Sequence, residues 1–384
     1  MNTKHLPRIC IEASPAIQNQ AGLGRYTSNL IDSLIQHDDS YEYTISLNKT
    51  RKCNVPDKYN KLKQYSSNKN NKIWRLQHSL THFSKYRINN HYSHIDLYHS
   101  TGHLLPKLTG IPSIMTLHDI IPLLYPEYHK PLNRMFFKVM LPIFLESADA
   151  IIAVSKHTKD DAVNHLSLDP NKFVIIPEAV DNSIYRITDT NQLSRIRNKY
   201  KLPSKFILCL STIEPRKNHI TLLRAFEKIH FHHPDIGLVL VGNLGWLYKP
   251  FLSAIENSPV NNQIKLLGYV HEHDLATLIS AATVFAFPSI YEGFGLPPLE
   301  AMMCSTPVIC SNTSSLPEVV GDAAITCEPT NTDNWSDSLN KILSDKQLRE
   351  ELTAKGMNHA KQFTWNKVSK QTVTLYNKFL KHTK

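Results

Sequence analysis

The second half of the chain carries six short apolar runs at near-regular spacing: FILCLS (206–211), GLVLVG (237–242), QIKLLG (263–268), TVFAFPS (283–289), TPVICS (306–311) and AAITCE (323–328). Segments of helical period separate them, of which NHITLLRAFEKIHFHH (218–233) is the clearest. Strands apolar on both faces need cover on both faces, which a parallel sheet flanked by helices provides. The first half shows the same rhythm less regularly. Strands are expected at 8–13, 43–48, 95–100, 113–119, 148–155 and 172–177, and helices over 24–37, 131–147 and 156–166. At 384 residues the chain is about twice the usual domain size. The expectation is an α/β protein of two doubly wound domains, 1–180 and 181–364, with a helix over 365–384 packing back on the first.

In open α/β sheets ligands bind beyond the carboxyl ends of the strands, where loops lead into helices. Four such loops stand out. In EGFGLPPLE (292–300), Pro297 or Pro298 marks a helix start. Gly293 and Gly295 then lie where backbone N–H groups can meet an anion such as phosphate. Glu292 precedes the helix and Glu300 sits one turn inside it, so each can accept hydrogen bonds from a different part of a hydroxyl-rich ligand. A glycine turn with a capping acid would read the same way locally. STIEPRKNH (211–219) puts Arg216 and Lys217 at the next helix start, where cations oppose the helix dipole unless an anion intervenes. A fork and a point charge suit a diphosphate; two solvated cations are the plain alternative.

QAGLGRYTSNL (20–30) offers Gly22-x-Gly24, but Thr27 occupies the third glycine position of a dinucleotide fingerprint and no acid ends the next strand. A dehydrogenase is disfavoured. TLHDIIP (116–122) leaves His118 and Asp119 at a strand's end, where a histidine is either structural or functional. HEHD (271–274) reads as a solvated helix start, and no D-x-D occurs, so a metal clamp is not expected.

The net charge is +10. Residues 49–91 hold eleven Lys/Arg against one acid, Asp57, so this segment alone accounts for it and the rest of the chain is neutral. One basic patch implies an anionic partner at one place. In KIWRLQHSLTHFSKYRI (72–88), Ile73, Leu76, Leu80 and Phe83 form one helical stripe, and Arg75, His78, His82 and Lys85 another. With Lys72 and Arg87 the basic residues would suit an anionic membrane surface or a lipid diphosphate. The alternative is apolar packing inside and solvated charge outside. No recognition motif supports nucleic acid. Six scattered cysteines without C-x-x-C read as reduced, buried thiols. The polar start and the absence of an ~18–20-residue apolar run give the expectation of a cytoplasmic protein, free or peripheral at the inner face of the plasma membrane.

Taken together, GLGRYTSNL, TLHDIIPLLYPEYH, VSKHTKDD, IEPRKNH, LLGYV and YEGFGLPPLEAMMCSTPVICSNTSSLPEVVGDAA resemble the retaining, nucleotide-sugar-dependent glycosyltransferases of GT-B fold, in family order from about 22 to 330. The last piece includes the family's E-x7-E, Glu292 and Glu300, and the TIEPRKN form is similar to bacterial mannosyltransferases of surface polysaccharide synthesis. The resemblance implies two domains facing across a cleft, a GDP-mannose or UDP-sugar donor, a glycan or lipid-linked acceptor, and no cofactor or metal. It further implies that Glu300 binds the donor ribose, and that Glu292 with Gly293, Phe294, Gly295 and Leu296 holds the transferred sugar and phosphate. Arg216 and Lys217 would grip the diphosphate, Tyr269 and Val270 edge the base, and Gly22 and Gly24 admit the diphosphate from the first domain. His118 would contact the sugar near the reacting carbon, with Arg25 and Asp119 on the acceptor side. Two departures stand out: Glu178 and Ala179 replace the family's Asn-Gly at the interdomain hinge, and Ser211 or Thr212 stands where some members carry a further arginine. A non-catalytic nucleotide-sugar sensor is the alternative from another functional class.

Overall fold

The structure is a computed structural model that describes residues 6–18, 21–49, 55–84, 88–92, 94–128 and 131–380. The chain divides into two compact units: Met1–Glu178 with Thr364–Lys384, and Ala179–Phe363.

The first unit is built on seven strands: β1 (Arg8–Glu12), β2 (Glu42–Asn48), β3 (Lys63–Ser67), β4 (Leu97–Ser100), β5 (Ser113–Leu117), β6 (Ala150–Ala153) and β7 (Phe173–Ile175). All neighbours pair in parallel, in the order β3-β2-β1-β4-β5-β6-β7. Every residue of β4, β5 and β6 is buried, as double-sided helical cover requires. β3 has no apolar run to announce it; KQYSS buries only Tyr65 and forms the sheet's edge. Helix Trp365–Leu380 belongs to this unit. It is fixed there by Ser33 Oγ donating to the Trp365 carbonyl at 2.9 Å, by Tyr41 OH donating to Asn377 at 2.8 Å, and by Tyr376 OH 2.6 Å from His99 Nδ1.

The second unit follows with β8 (Lys205–Leu210), β9 (Ile236–Val241), β10 (Ile264–Gly268), β11 (Val284–Phe287), β12 (Val308–Ser311) and β13 (Ile325–Cys327). These too are all parallel, in the order β10-β9-β8-β11-β12-β13. Its core packs Phe226, Leu238, Val284 and Trp335. Strand order reverses between β1 and β4 in the first unit and between β8 and β11 in the second, and crevices at such switch points are where ligands sit in doubly wound sheets. Cys10, Cys209, Cys304, Cys310 and Cys327 are buried free thiols, while Cys53 lies outside the described residues.

Candidate functional site

In the second unit, the loops leaving β8 and β11 flank the switch point, and they bring Arg216, Lys217 and Glu292 together. The two cations do not open the following helix. They occupy a separate 3-10 turn, Pro215–Lys217, and Asn218, left-handed at φ 54°, stands between that turn and helix His219–Ile229. Lys217 Nζ donates to Glu292 Oε1 at 2.5 Å, and Arg216 Nη1 lies 3.2 Å from Oε2. Arg216 also donates from Nη1 to the Tyr291 carbonyl at 2.6 Å and from Nη2 to Glu214 at 2.8 Å. Burial alone would favour a neutral Glu292. The Lys217 and Arg216 charges outweigh it and hold the carboxyl down at about 2. Lys217 is pushed below its usual value by burial and by Arg216, against the pull of Glu292, and burial pushes Glu214 up. The arrangement is a nearly dry cluster of two cations and two carboxylates.

The glycine loop is pinned from β12. Thr313 Oγ1 donates to the Ile290 carbonyl at 2.9 Å, Ser314 Oγ accepts from the Glu292 N–H at 3.0 Å, and Ser315 Oγ donates to the Glu292 and Phe294 carbonyls at 2.9 and 2.7 Å. The sequence signal for these hydroxyls is three consecutive Ser/Thr, one residue beyond a buried strand. Gly295 adopts φ +107°, so glycine is required there for conformation; a Cβ would also come within 2.6 Å of Leu316 Cδ2, the movable end of a side chain. Leu296 is the first residue of helix Leu296–Met303, with prolines in its opening turn and Glu300 buried on it. Tyr269, exposed, and Val270, buried, follow edge strand β10 on the same carboxyl side.

The first unit holds the remaining candidates. His118, just past β5, is buried; its Nδ1 lies 2.9 Å from Glu178 Oε1 and its Nε2 3.0 Å from the Thr101 carbonyl. Asp119 Oδ1 accepts from the Ile121 N–H at 2.9 Å and so closes the turn into helix Ile121–Leu124. Helix Ala21–His37 begins three residues before the expected start, so Gly22 and Gly24 lie in its first turn and not in a loop, with Arg25 half-buried beside them. A Cβ on Gly24 would meet the Pro15 carbonyl oxygen at 2.8 Å, whereas one on Gly22 would meet nothing within 4 Å.

Between β1 and β4 a recess is lined by Glu12, Gln18, Trp74, Arg75, His103 and Phe137, among others. Burial pushes the Glu12 carboxyl up to about 7, against the Ser14 hydroxyl and N–H that bond it. In the sequence Glu12 shows only as the acid that closes strand β1. Helix Asn71–Phe83 departs from the alternative of apolar packing inside and solvated charge outside. Trp74, His78, Ser79 and Thr81 are buried, while Ile73, Leu76, Leu80 and Phe83 face solvent at 40–63% exposure. Lys72 is on the surface, but Arg75 is turned inward, donating to Asn133 Oδ1 at 3.2 Å and lying 5.4 Å from the Phe136 ring centre. Lys85 and Arg87 lie outside the described residues. Among the described residues no three His, Cys, Asp or Glu side chains are grouped to hold a metal ion.

Comparison with known proteins agrees with this arrangement. Residues 192–359 match the family model "Glycosyl transferases group 1" and residues 21–183 match "Glycosyltransferase Family 4". The chain is 35% identical over 285 residues to O-antigen chain mannosyltransferase B of Escherichia coli, covering 73% of this chain and 74% of that one. It is 30% identical over 279 residues to the serotype-specific mannosyltransferase WbdA of Escherichia coli; this match covers 71% of this chain but only 34% of the longer relative. In fold it is similar to Anabaena Alr3699/HepE, solved with UDP and glucose, at TM-score 0.73 and 18% identity, covering 97% of this chain and all of that one. Two all-parallel sheets, a cation and glycine-loop cluster at the switch point of the second, and these matches agree: the chain belongs to the group 1 glycosyltransferases and has their GT-B fold.

Proposed function

We propose that this glycosyltransferase moves mannose from GDP-mannose to a glycan or lipid-linked acceptor of bacterial surface polysaccharide, with retention at the anomeric carbon and without a metal. The observation that carries the reading is the meeting of Arg216, Lys217 and Glu292 beside the glycine loop at a switch point, in a chain whose relatives are named mannosyltransferases. The donor diphosphate takes the place of Glu292 as partner of the two cations, which then oppose the charge gained by the leaving group. Glu292, released, accepts hydrogen bonds from the hydroxyls of the transferred sugar. Gly293, Phe294, Gly295 and Leu296 seat the phosphate with their backbone N–H groups, Glu300 reads the ribose, and Tyr269 and Val270 border the base. His118 contacts the sugar, and Gly22 and Gly24 border the diphosphate from the first unit. Arg25, Asp119 and the Glu12 recess serve the acceptor. A covalent glycosyl–Glu292 intermediate is disfavoured, because Glu292 and Glu300 flank a phosphate loop instead of forming a pair across the scissile bond; same-face substitution takes its place.

The test offers GDP-mannose, a UDP-hexose and an ADP-hexose with a lipid-linked glycan acceptor, with and without a chelator, and reads the product's anomeric signal by NMR. Mannose transfer from GDP-mannose, retained configuration and no effect of the chelator are expected. Turnover of the UDP-sugar in its place overturns the donor, and nucleotide binding without transfer or hydrolysis would mark a sensor.

Gly22→Ala separates fold from function. Nothing crowds the position and it is helical, so the substitution should stabilise by up to about 1 kcal/mol. If Gly22 borders the diphosphate, donor kcat/KM should nevertheless fall, and a variant gaining in both thermal stability and activity contradicts that role.

We also propose that the first unit docks on an anionic membrane surface. On the neighbouring helix Pro131–Ser147, Leu132, Met135 and Val139 are 53–76% exposed, and Arg75 and His82 of helix Asn71–Phe83 touch its Asn133, Phe136 and Phe144. Exposed Lys72, Arg134 and Lys138 accompany these apolar side chains. No helix among the described residues is long and apolar enough to cross a membrane, so the contact would be peripheral. Sedimentation with vesicles containing anionic lipid should be salt-sensitive and lost in Leu76→Glu/Phe83→Glu. Binding indifferent to lipid charge, salt and this substitution removes the proposal.

A further inference from the structure

Glu178 stands where the family's hinge usually has Asn, and it is the last residue before the chain passes into the second unit. Its side chain is turned inward, about 10% exposed, onto a His118 side chain equally enclosed. The other ring nitrogen faces the Thr101 carbonyl, which can only accept. An ionised Glu178 also only accepts, so a ring between two acceptors carries a proton on each nitrogen. We propose that Glu178 is a positioning residue that holds His118 as an oriented imidazolium, so that His118 cannot act as a base in glycosyl transfer.

The proposal rests on the reading that His118 contacts the transferred sugar. With both N–H groups engaged, the ring has no lone pair for the acceptor's proton. The balance of the reaction is then set: the acceptor oxygen bonds to the anomeric carbon, the bond from that carbon to the phosphate oxygen breaks, and the acceptor's proton goes to that departing oxygen. Glu178 also offsets the ring's charge, so that the imidazolium does not repel an oxocarbenium-like centre.

Several other groups bear on the ring. Asp119 adds negative charge in the next position, Tyr26 meets the ring edge-on at 4.6 Å, and His103 lies 6.3 Å away. Burial, which is strong here, works against the charged ring; Glu178, the Thr101 carbonyl and Asp119 outweigh it and raise the His118 value, while burial and the His118 charge hold His99 on β4 down. A raised histidine contributes stability that is complete below the unfolded value and is lost as pH rises through the folded one.

The test uses full-length protein labelled with 15N-histidine, with His118→Asn to assign the signal. In the unsubstituted protein both His118 nitrogens should be protonated at a pH where free histidine is neutral. Glu178→Gln should return the ring to one proton at that pH and move the alkaline limb of kcat to lower pH. It should lower kcat on the order of 10-fold or more, the scale for losing a group that orients a functional histidine, with donor KM little changed. Glu178→Asp should recover part of both effects. A singly protonated His118 in the unsubstituted protein overturns the proposal, and so does an unchanged kcat profile in Glu178→Gln. The NMR reading needs neither a variant of Glu178 nor turnover, so it stands even if GDP-mannose is not the donor.

Discussion

Lys217→Met is expected to lower kcat about 10²–10³-fold, the cost of removing one preorganised group that stabilises developing charge. The same change removes the closest partner of a buried carboxylate, since the Lys217 and Glu292 side chains are only 14% and 12% exposed. Breaking a buried pair from one side costs roughly 3–5 kcal/mol, and the low end applies because Arg216 remains 3.2 Å from Glu292. Adding Glu292→Gln should restore much of the stability, since no buried charge is then left unmatched, but none of the turnover. A double variant as unstable as Lys217→Met alone would contradict the ion-pair account. The pH dependence has a definite sign. Glu292 is held at about 2, below its ordinary value, so the pair's stability is present above the unfolded value and is lost as pH falls toward 2. Acid unfolding should therefore begin at higher pH in Lys217→Met.

Gly242→Ala should be the most damaging single methyl in the second unit. At φ +144° its Cβ would lie 2.0 Å from the Ser211 carbonyl oxygen. Both sides are fixed by main-chain bonds, Gly242 N–H to the Gly268 carbonyl at 2.8 Å and Ser211 N–H to the Val241 carbonyl at 2.9 Å. A backbone clash with no flexible side chain to yield costs on the order of 3 kcal/mol or more, or roughly 6–12 °C in Tm for a unit of this size. The segment pushed aside is the one leading into Arg216 and Lys217, so donor affinity should fall with it. Thermal unfolding with and without GDP checks both; a Tm within a degree of the parent contradicts the packing described.

Both sheets were legible because buried parallel strands must be apolar on both faces, and the longer segments of helical period between them cannot be mistaken for strands. β3 escaped because an edge strand such as Lys63–Ser67 need bury only one side chain. Glu292 and the two cations could be read separately from their loops, but not their mutual contact, since 75 residues of chain separate Lys217 from its partner. Which face of helix Asn71–Phe83 packs inside was illegible for a related reason. Periodicity shows that a helix has two faces, and only tertiary packing decides that Trp74 and His78 go inside while Leu76 and Phe83 stay out. Glu178 appeared in the sequence as a mere exception to a pattern; its meaning lies in the inward turn that brings it to His118.

The most direct test of the central claim, that the donor diphosphate replaces Glu292 as partner of Arg216 and Lys217, is calorimetric titration of GDP into the unsubstituted protein and into Glu292→Gln. Removing the competing carboxylate should make GDP bind severalfold more tightly even as transfer slows. GDP binding that is unchanged or weaker in Glu292→Gln would contradict it.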